Sequence, residues 1–501
     1  VVVMDIFENP RIKEILDKYR VIWALHHAQG LLSWDTETNM PIKGVEERSI
    51  AIAELAGLAR RLLLKEDFLK LLDEASQTED LNIYERGVVR VLNRAVRIYR
   101  ALPEWLVMEM AKITEEAKVV WRKAKEKDDF NMFKPYLEKI VDLNRKAADY
   151  LGYEEHPYDA LLDLYEEGFK TRDADKMFDT LEPGLKKIFD KVYGEKLYPS
   201  EHELEKVKYD PEDMKKVNLE ILNIFGYPKD KARLDISAHP FTIELGINDV
   251  RITTRYEGFD FKRSLFSTIH EFGHALYALQ VDERFKATPL AGGASLGIHE
   301  SQSRFWENII GRSREFTAAV YPILKKYLPF IEKYTSEDLY YYFNTVKPSF
   351  IRTEADEVTY NFHILLRYRL EKMMIERSIN VSDVPEYWNN MMEDLLGIRP
   401  KKYSEGVLQD IHWSMGNIGY FPTYTIGNII SGQIKYHIER EIPDFRDKIS
   451  KLEFTDIKEY LREKIHRWGS VYKPQDLLQE SFKEGMDTRY FIRYLEEKYL
   501  S

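Results

Sequence analysis

From Phe7 to Phe225 the chain is a succession of long segments whose apolar residues recur at helical spacing, with few glycines or prolines between them. The segments run from about Phe7 to Leu31, Glu46 to Ser76, Leu81 to Tyr99, Trp105 to Lys127, Phe133 to Leu151, Asp175 to Val192 and Asp210 to Phe225, and the pattern resumes beyond residue 300. Each apolar stripe needs a neighbouring helix to bury it. A mostly α architecture is therefore expected, as one large helical body. No internal repeat, low-complexity tract or long linker divides the chain, so residues 1–501 are read as a single domain.

One stretch departs from the helical period. Phe241–Leu245 and Val250–Tyr256 alternate apolar and polar residues on either side of Gly246-Ile-Asn-Asp249, which predicts a β-hairpin. Soon after comes Ser264–Gln280, a predicted helix with Asp260 as N-cap and Leu265, Phe266, Ile269, Phe272 and Leu276 as its apolar positions. It carries His270-Glu271-Phe272-Gly273-His274. Imidazoles four residues apart lie on one helix face, about 5–6 Å apart at Cβ, within reach of one zinc ion at about 2.0–2.1 Å from each nitrogen. Glu271, beside the first ligand, is placed to take a proton from a water on that metal. A buried helix with two His and a Glu needs partners for them, because an unsatisfied polar group costs several kcal/mol. An edge strand of the hairpin would hold an extended peptide through main-chain hydrogen bonds.

A third ligand must come from elsewhere. The metzincin continuation requires Gly at 277 and His at 280, positions held by Tyr277 and Gln280. Downstream, the glycine-rich turn Ala291–Gly297 leads into Ile298-His299-Glu300-Ser301-Gln302, ahead of a helix expected over Arg304–Leu328. Glu300 at the start of that helix is the chosen ligand, since two His and one Glu with an open position form a catalytic zinc set. His299 and Glu307 stand as alternatives.

Composition removes other chemistries. With no cysteine in the chain, disulfides and thiolate ligands are excluded, and a metal must be held by nitrogen and oxygen. The 74 Lys+Arg against 85 Asp+Glu give a net charge of −11, which argues against nucleic acid or an anionic membrane as partner. No run approaches the ~18 apolar residues of a membrane span. Val1–Phe7 has neither a basic region nor a long apolar core, so no secretory signal is expected and a cytoplasmic location follows. The charged fraction of 32% suits thermophilic ion-pair networks, and a solvated helical surface equally well.

Further blocks occur in order around the histidine helix. They are Asp249-Val-Arg251-Ile-Thr253, then His270–His274 itself, His299-Glu300-Ser301-Gln302, Ile351-Arg352-Thr-Glu-Ala355-Asp356, and Gly406-Val-Leu-Gln409-Asp410-Ile-His412-Trp413. Together with His239-Pro240-Phe241 and Trp34-Asp35-Thr-Glu-Thr38-Asn-Met40-Pro41, this set resembles the carboxypeptidase Taq family of thermostable HExxH metallocarboxypeptidases, over about residues 34–430. The resemblance implies a gluzincin-like helical body with a deep active-site groove, an N-terminal layer over residues 1–200 covering the metal, and a catalytic part over 201–501. It also implies a homodimer, one zinc or cobalt ion per chain, and removal of single C-terminal residues from peptides. One departure concerns the ExxxD continuation of many related peptidases, because Arg304 stands where the Asp would be. The partner of a metal-bound histidine is then expected at Asp356 or Asp410.

On this reading His270, His274 and Glu300 hold the metal, while Glu271 is the general base that later protonates the leaving amine. Tyr420, Tyr424 and His239 are candidates for stabilising the oxyanion, with a packed aromatic as the plain alternative for each tyrosine. The resemblance places Gln409 and His412 in the substrate pocket, against the alternative of a satisfied polar pair inside a helix; Trp413 reads as groove wall or core. A substrate's free carboxylate is best held by a planar guanidinium through two parallel hydrogen bonds. Arg352 is chosen for that anchor and Arg251 is the alternative. A structural pairing competes for each, Arg352 with Asp356 or Glu354 and Arg251 with Asp249. Two other functions remain open, an oligoendopeptidase or dipeptidyl carboxypeptidase, and a metal-stapled helical scaffold, which the intact Glu271 argues against.

Overall fold

The computed structural model describes residues 5–501; of the N-terminal stretch read for a targeting signal, Val1–Met4 lies outside them. Helices dominate, as the periodicity predicts. The first runs Pro10–Thr38, set by Asn9, whose side chain accepts from the backbone N–H of Arg11 and Ile12, and by Pro10 in its first turn. It continues past the expected end at Leu31 because Trp34 is buried on the same stripe, and it stops at Asn39, just before Pro41. The stretch expected as one helix over Glu46–Ser76 is two, Val45–Leu63 and Glu66–Ser76. Lys65 is extended between them, and Glu66 and Asp67 supply the negative charge that favours a new helix start. Pro157–Tyr165, which the apolar pattern does not reveal, begins at a His156–Asp159 capping box.

By internal contacts the chain forms two compact units, each assembled from separate segments. The first comprises Val1–Tyr99, Glu203–Phe343 and Ile434–Gly485; the second comprises Arg100–His202, Asn344–Gln433 and Met486–Ser501. No helix among the described residues is long and apolar enough to cross a membrane.

In the first unit, a three-stranded sheet packs beside the histidine helix. The expected hairpin forms from β2, Thr242–Gly246, and β3, Asp249–Thr254, paired antiparallel with Thr242 opposite Ile252 and Glu244 opposite Val250. A third strand, β1, Ala232–Ile236, adds parallel to β3, so the order is β1-β3-β2 and β2 is an edge. Its five residues, Ala232-Arg-Leu-Asp-Ile236, alternate apolar and polar, and that alternation was the available signal for it. The histidine helix spans Lys262–Leu279, and the five apolar positions read from its sequence are all buried. Phe272 anchors it: its ring lies 4.8 Å from Phe225 and 5.0 Å from Trp306, and Phe225 in turn meets Phe454 at 5.0 Å. Such aromatic pairs add about 0.5–1.5 kcal/mol each beyond area burial.

Two expectations about helix starts are corrected. Asp260 does not cap this helix through its side chain. It sits at φ 52°, and its carboxylate instead accepts from the Tyr342 hydroxyl and Arg263 Nε. Glu300 is not at the start of a helix over Arg304–Leu328. A helix over Leu296–Arg304 begins at Ser295, which accepts from the N–H of Ile298; it passes into a π-helical turn, Phe305–Ile310, and a separate helix follows over Arg314–Tyr327. The N-cap serine inside the glycine-rich turn, and the widened turn behind it, are local features that an apolar period does not register.

In the second unit Tyr360–Ile375 is buried almost all round, including Arg367 and Glu371. A helix with no solvent face holds its charged residues only by pairing them inside.

Candidate metal centre and active site

The histidine helix presents its two imidazoles at i and i+4, with ring centroids 5.1 Å apart. Glu300 reaches them from Leu296–Arg304: its Oε2 lies 3.6 Å from His270 Nε2 and 3.3 Å from His274 Nε2. Donors set about 2.0–2.1 Å from one tetrahedral ion are roughly 3.3–3.4 Å from each other, so the set has the span a small divalent cation needs. The three candidate donor atoms all fall within 4.8 Å of one another. Gly273, between the imidazoles, permits this approach. A Cβ there would stand 2.5 Å from the carbonyl oxygen of Gln302 and 2.6 Å from Cα of Ser303, so the two helices touch backbone to backbone.

The outer nitrogens of both rings are engaged. His270 Nδ1 lies 3.2 Å from Glu307 Oε1, and Glu307 Oε2 accepts from Arg304 and is paired with Arg312, each at 3.1 Å. His274 Nδ1 lies 2.7 Å from His299 Nδ1, whose Nε2 meets Glu244 Oε1 at 2.5 Å. His299 and Glu307, the alternative ligands, therefore each occupy the far side of one imidazole. Asp356 and Asp410, expected as such partners, are engaged elsewhere: Asp356 accepts the backbone N–H of Lys347, Val358 and Thr359, and Asp410 holds two arginines. Arg304, at the departure from ExxxD, donates to Glu300 Oε1 at 2.9 Å and so orients the carboxylate.

These neighbours set the electrostatics. Burial works against charge on His270, but Glu300 and Glu307 outweigh it and lift its pKa to about 9. Burial also opposes ionisation of Glu300 and Glu307, yet His270 and Arg304 for the one, and Arg304 and Arg312 for the other, hold both well below the usual carboxylate range. His274 is pushed down, by burial first, and with it by the neighbouring His299 and His270. The negative potential that draws a proton to His270 equally favours a cation between the rings.

Glu271 is buried, and its carboxylate Oε2 accepts from Thr242 Oγ1 on β2. Thr242 escaped the sequence reading; the strand alternation that turns it toward the helix was the available signal. Arg251, on β3, forks onto both oxygens of Asp249 at 2.9 and 3.1 Å and lies over the Trp34 ring at 4.6 Å. His239 is exposed, and its backbone carbonyl accepts from Ser237.

The second unit gathers the remaining sequence candidates. Arg352, 7% exposed, donates through Nε and Nη2 to Asp410 at 3.2 and 2.9 Å and through Nη1 to the Tyr360 hydroxyl at 3.1 Å. Its partner is thus Asp410, in place of the expected Asp356 or Glu354, which belong to its own turn and neighbourhood. Arg367 donates to the other oxygen of Asp410 at 2.7 Å. Against the pull of burial, these two guanidiniums hold Asp410 well below the usual range. Gln409 lies outside any helix; it accepts the backbone N–H of Arg352 and donates to the carbonyls of Phe350 and Glu405. His412 Nε2 meets the Tyr424 hydroxyl at 3.0 Å, with the Tyr420 ring 5.5 Å from each. Burial lowers the His412 pKa to about 4, with Asp410 opposing and Arg352 and Arg367 assisting. Trp413 is core, donating to Glu371. Arg367 was missed, since an arginine four residues beyond His363 in an apolar helix carries no motif.

Known proteins resemble this chain over nearly its whole length. The family described as carboxypeptidase Taq (M32) metallopeptidase matches residues 14–499. Thermostable carboxypeptidase 1 of Pyrococcus furiosus is 60% identical over 497 residues, covering 99% of this chain and 100% of that one, and carboxypeptidase 1 of Bacillus subtilis is 37% identical over 97% of each. A solved structure of the Pyrococcus furiosus carboxypeptidase, Apo-Mg, has a TM-score of 0.98 and covers 99% of this chain and 100% of that chain. Likeness of this extent, in sequence and in backbone, leaves one conclusion: the chain belongs to the carboxypeptidase Taq (M32) metallopeptidase family and is a metallocarboxypeptidase.

Proposed function

We propose that His270, His274 and Glu300 hold one divalent cation, zinc or cobalt, and that Glu271 is the general base in the removal of single residues from the free C-terminus of peptides. The observation that carries this reading is the convergence of three donor atoms within 4.8 Å, on rings whose far nitrogens are already engaged. Two imidazoles and a carboxylate, with no thiolate in the chain, form a donor set that suits such an ion. When bound, the cation supplies Lewis acidity at the scissile carbonyl and lowers the pKa of a water toward neutrality. Arg304 occupies Oε1 of Glu300, so Oε2, which also accepts from Ser303 Oγ, is the oxygen that would face the ion. Glu271 takes the proton of the attacking water on Oε1, since Thr242 engages Oε2, and returns it to the leaving amine.

Recognition of the free C-terminus is assigned to Arg352, supported by a cluster in which two guanidiniums share one carboxylate. Gln409, His412, Tyr420 and Tyr424 are proposed to line that pocket, with Tyr420, Tyr424 or His239 steadying the oxyanion and Arg251 as a further substrate contact. The family resemblance supports a heat-resistant homodimer, which light scattering and activity after heating would check.

The test is mass analysis of a defined peptide digested by the zinc- or cobalt-loaded protein. Stepwise loss of single C-terminal residues is expected. Internal cuts, or loss of dipeptides, would replace this reading with that of an oligoendopeptidase or dipeptidyl carboxypeptidase.

A further inference from the structure

We infer that His299, held by Glu244, is a positioning residue that fixes the tautomer of His274 and so keeps His274 Nε2 available to the metal; the inference rests on the ligand role proposed above for His274. The two Nδ1 atoms are 2.7 Å apart, a distance that admits one proton between them. A neutral imidazole has one N–H. Glu244 Oε1, 2.5 Å from His299 Nε2, accepts only, so a His299 ring that carries one proton holds it on Nε2 and offers Nδ1 as the acceptor. His274 is then obliged to donate from Nδ1. That leaves the lone pair on its Nε2, the atom 3.3 Å from Glu300 Oε2. The opposite arrangement would put the His274 proton on Nε2, the nitrogen the metal needs, and would either set two acceptors against each other at His299 and Glu244 or require a second proton on His299.

Packing holds the His299 ring in this pose. The Tyr277 ring lies 4.7 Å from it and is itself stacked on His466 at 5.0 Å. The backbone at Gly293 closes on both rings, so that a Cβ there would stand 2.9 Å from His299 Cδ2 and 3.0 Å from Tyr277 Cε2. The result is an asymmetric pair of instructions. His270 is oriented directly by Glu307, whereas His274 is oriented by a carboxylate through an intervening imidazole. Glu244 and Thr242 are alternate residues of β2, so one face of one edge strand orients both the proposed base and, through His299, a proposed ligand.

The test measures zinc affinity of the 501-residue protein by competition with a chromophoric chelator. His299→Leu keeps the volume but removes the acceptor, and is expected to weaken zinc binding by about 10–100-fold. In His299→Asn, Oδ1 stands where Nδ1 stood, and most of the affinity is expected to return. Wild-type affinity in the Leu variant would overturn the inference, as would an Asn variant that falls as far as Leu, since that pattern reports lost packing. Histidine-selective ¹⁵N spectra of the metal-free protein should show His274 protonated on Nδ1; protonation on Nε2 would also overturn it. His274→Ala separates the two readings. If that variant keeps stoichiometric zinc, the ligand assignment itself fails, whereas zinc loss there beside normal affinity in His299→Leu defeats the relay alone.

Discussion

The two buried charge clusters of this protein carry opposite surpluses. Around His270 and His274 the carboxylates of Glu271, Glu300 and Glu307 face two guanidiniums, Arg304 and Arg312, and without a metal the balance is made up by the proton that this surplus holds on His270. Around Arg352 a single carboxylate, Asp410, serves two guanidiniums, and Arg367 Nη2 and His412 Nδ1 are buried without a hydrogen-bond partner among the described residues. A folded interior balances its charges closely, because an unpaired buried ion costs several kcal/mol. A surplus kept in place therefore points to what completes it: a cation for the first cluster, an anion for the second. A peptidase that acts on a free C-terminus needs both.

Four substitutions break or sharpen this contrast, in descending order of effect. Glu300→Ala removes a donor and part of the negative surplus, and bound metal and activity should vanish together; stoichiometric metal by elemental analysis would disqualify Glu300 as a ligand. Glu271→Gln lowers the same surplus without touching the donor set, so metal should stay while kcat falls by about 10²–10⁴. Near-normal turnover in the metal-loaded variant would defeat the proposed base. Asp410→Asn leaves two buried guanidiniums with no counter-charge and should cost about 3–5 kcal/mol of stability by denaturant titration; a loss below 1 kcal/mol would mean that the positive surplus is already neutralised by solvent. Arg352→Ala is expected to raise KM for a free-carboxylate peptide about 10–100-fold, the equivalent of one charge-assisted hydrogen bond, while the amidated peptide changes little. Equal losses on both substrates would make Arg352 structural and pass the anchor role to Arg251.

What could be read from the sequence was what local periodicity encodes. The apolar face of the histidine helix, the β2–β3 hairpin and the pairing of His270 with His274 each depend on residues within one turn or one strand. Glu300 came from the need for a third donor downstream of the two histidines, but its position inside a helix was not legible, because the Ser295 cap and the π-turn at Phe305–Ile310 alter the register without altering composition. The outer partners were hidden for another reason. Glu307 reaches His270 across 37 positions of chain, His299 reaches His274 across 25, and Asp410 reaches Arg352 across 58. Pairing through space over such intervals leaves no trace in spacing, so Asp356 and Asp410 were as reasonable to expect beside the histidines as the residues found there.

Gly273 has a consequence for how this site tolerates change. A motif written HExxH treats its two middle positions as blanks, yet here one blank sets the separation of the helices that carry the donors. Any side chain at 273 would require the contact at Gln302 to open by at least about 0.5 Å, from 2.5 Å to beyond the 3.0 Å that real Cβ atoms respect. Metal–ligand distances are held to within about 0.2 Å. Even alanine, the smallest mutational step available at that position, therefore exceeds the coordination tolerance. A search of variants that conserved only the three named letters would discard the site while appearing to keep it.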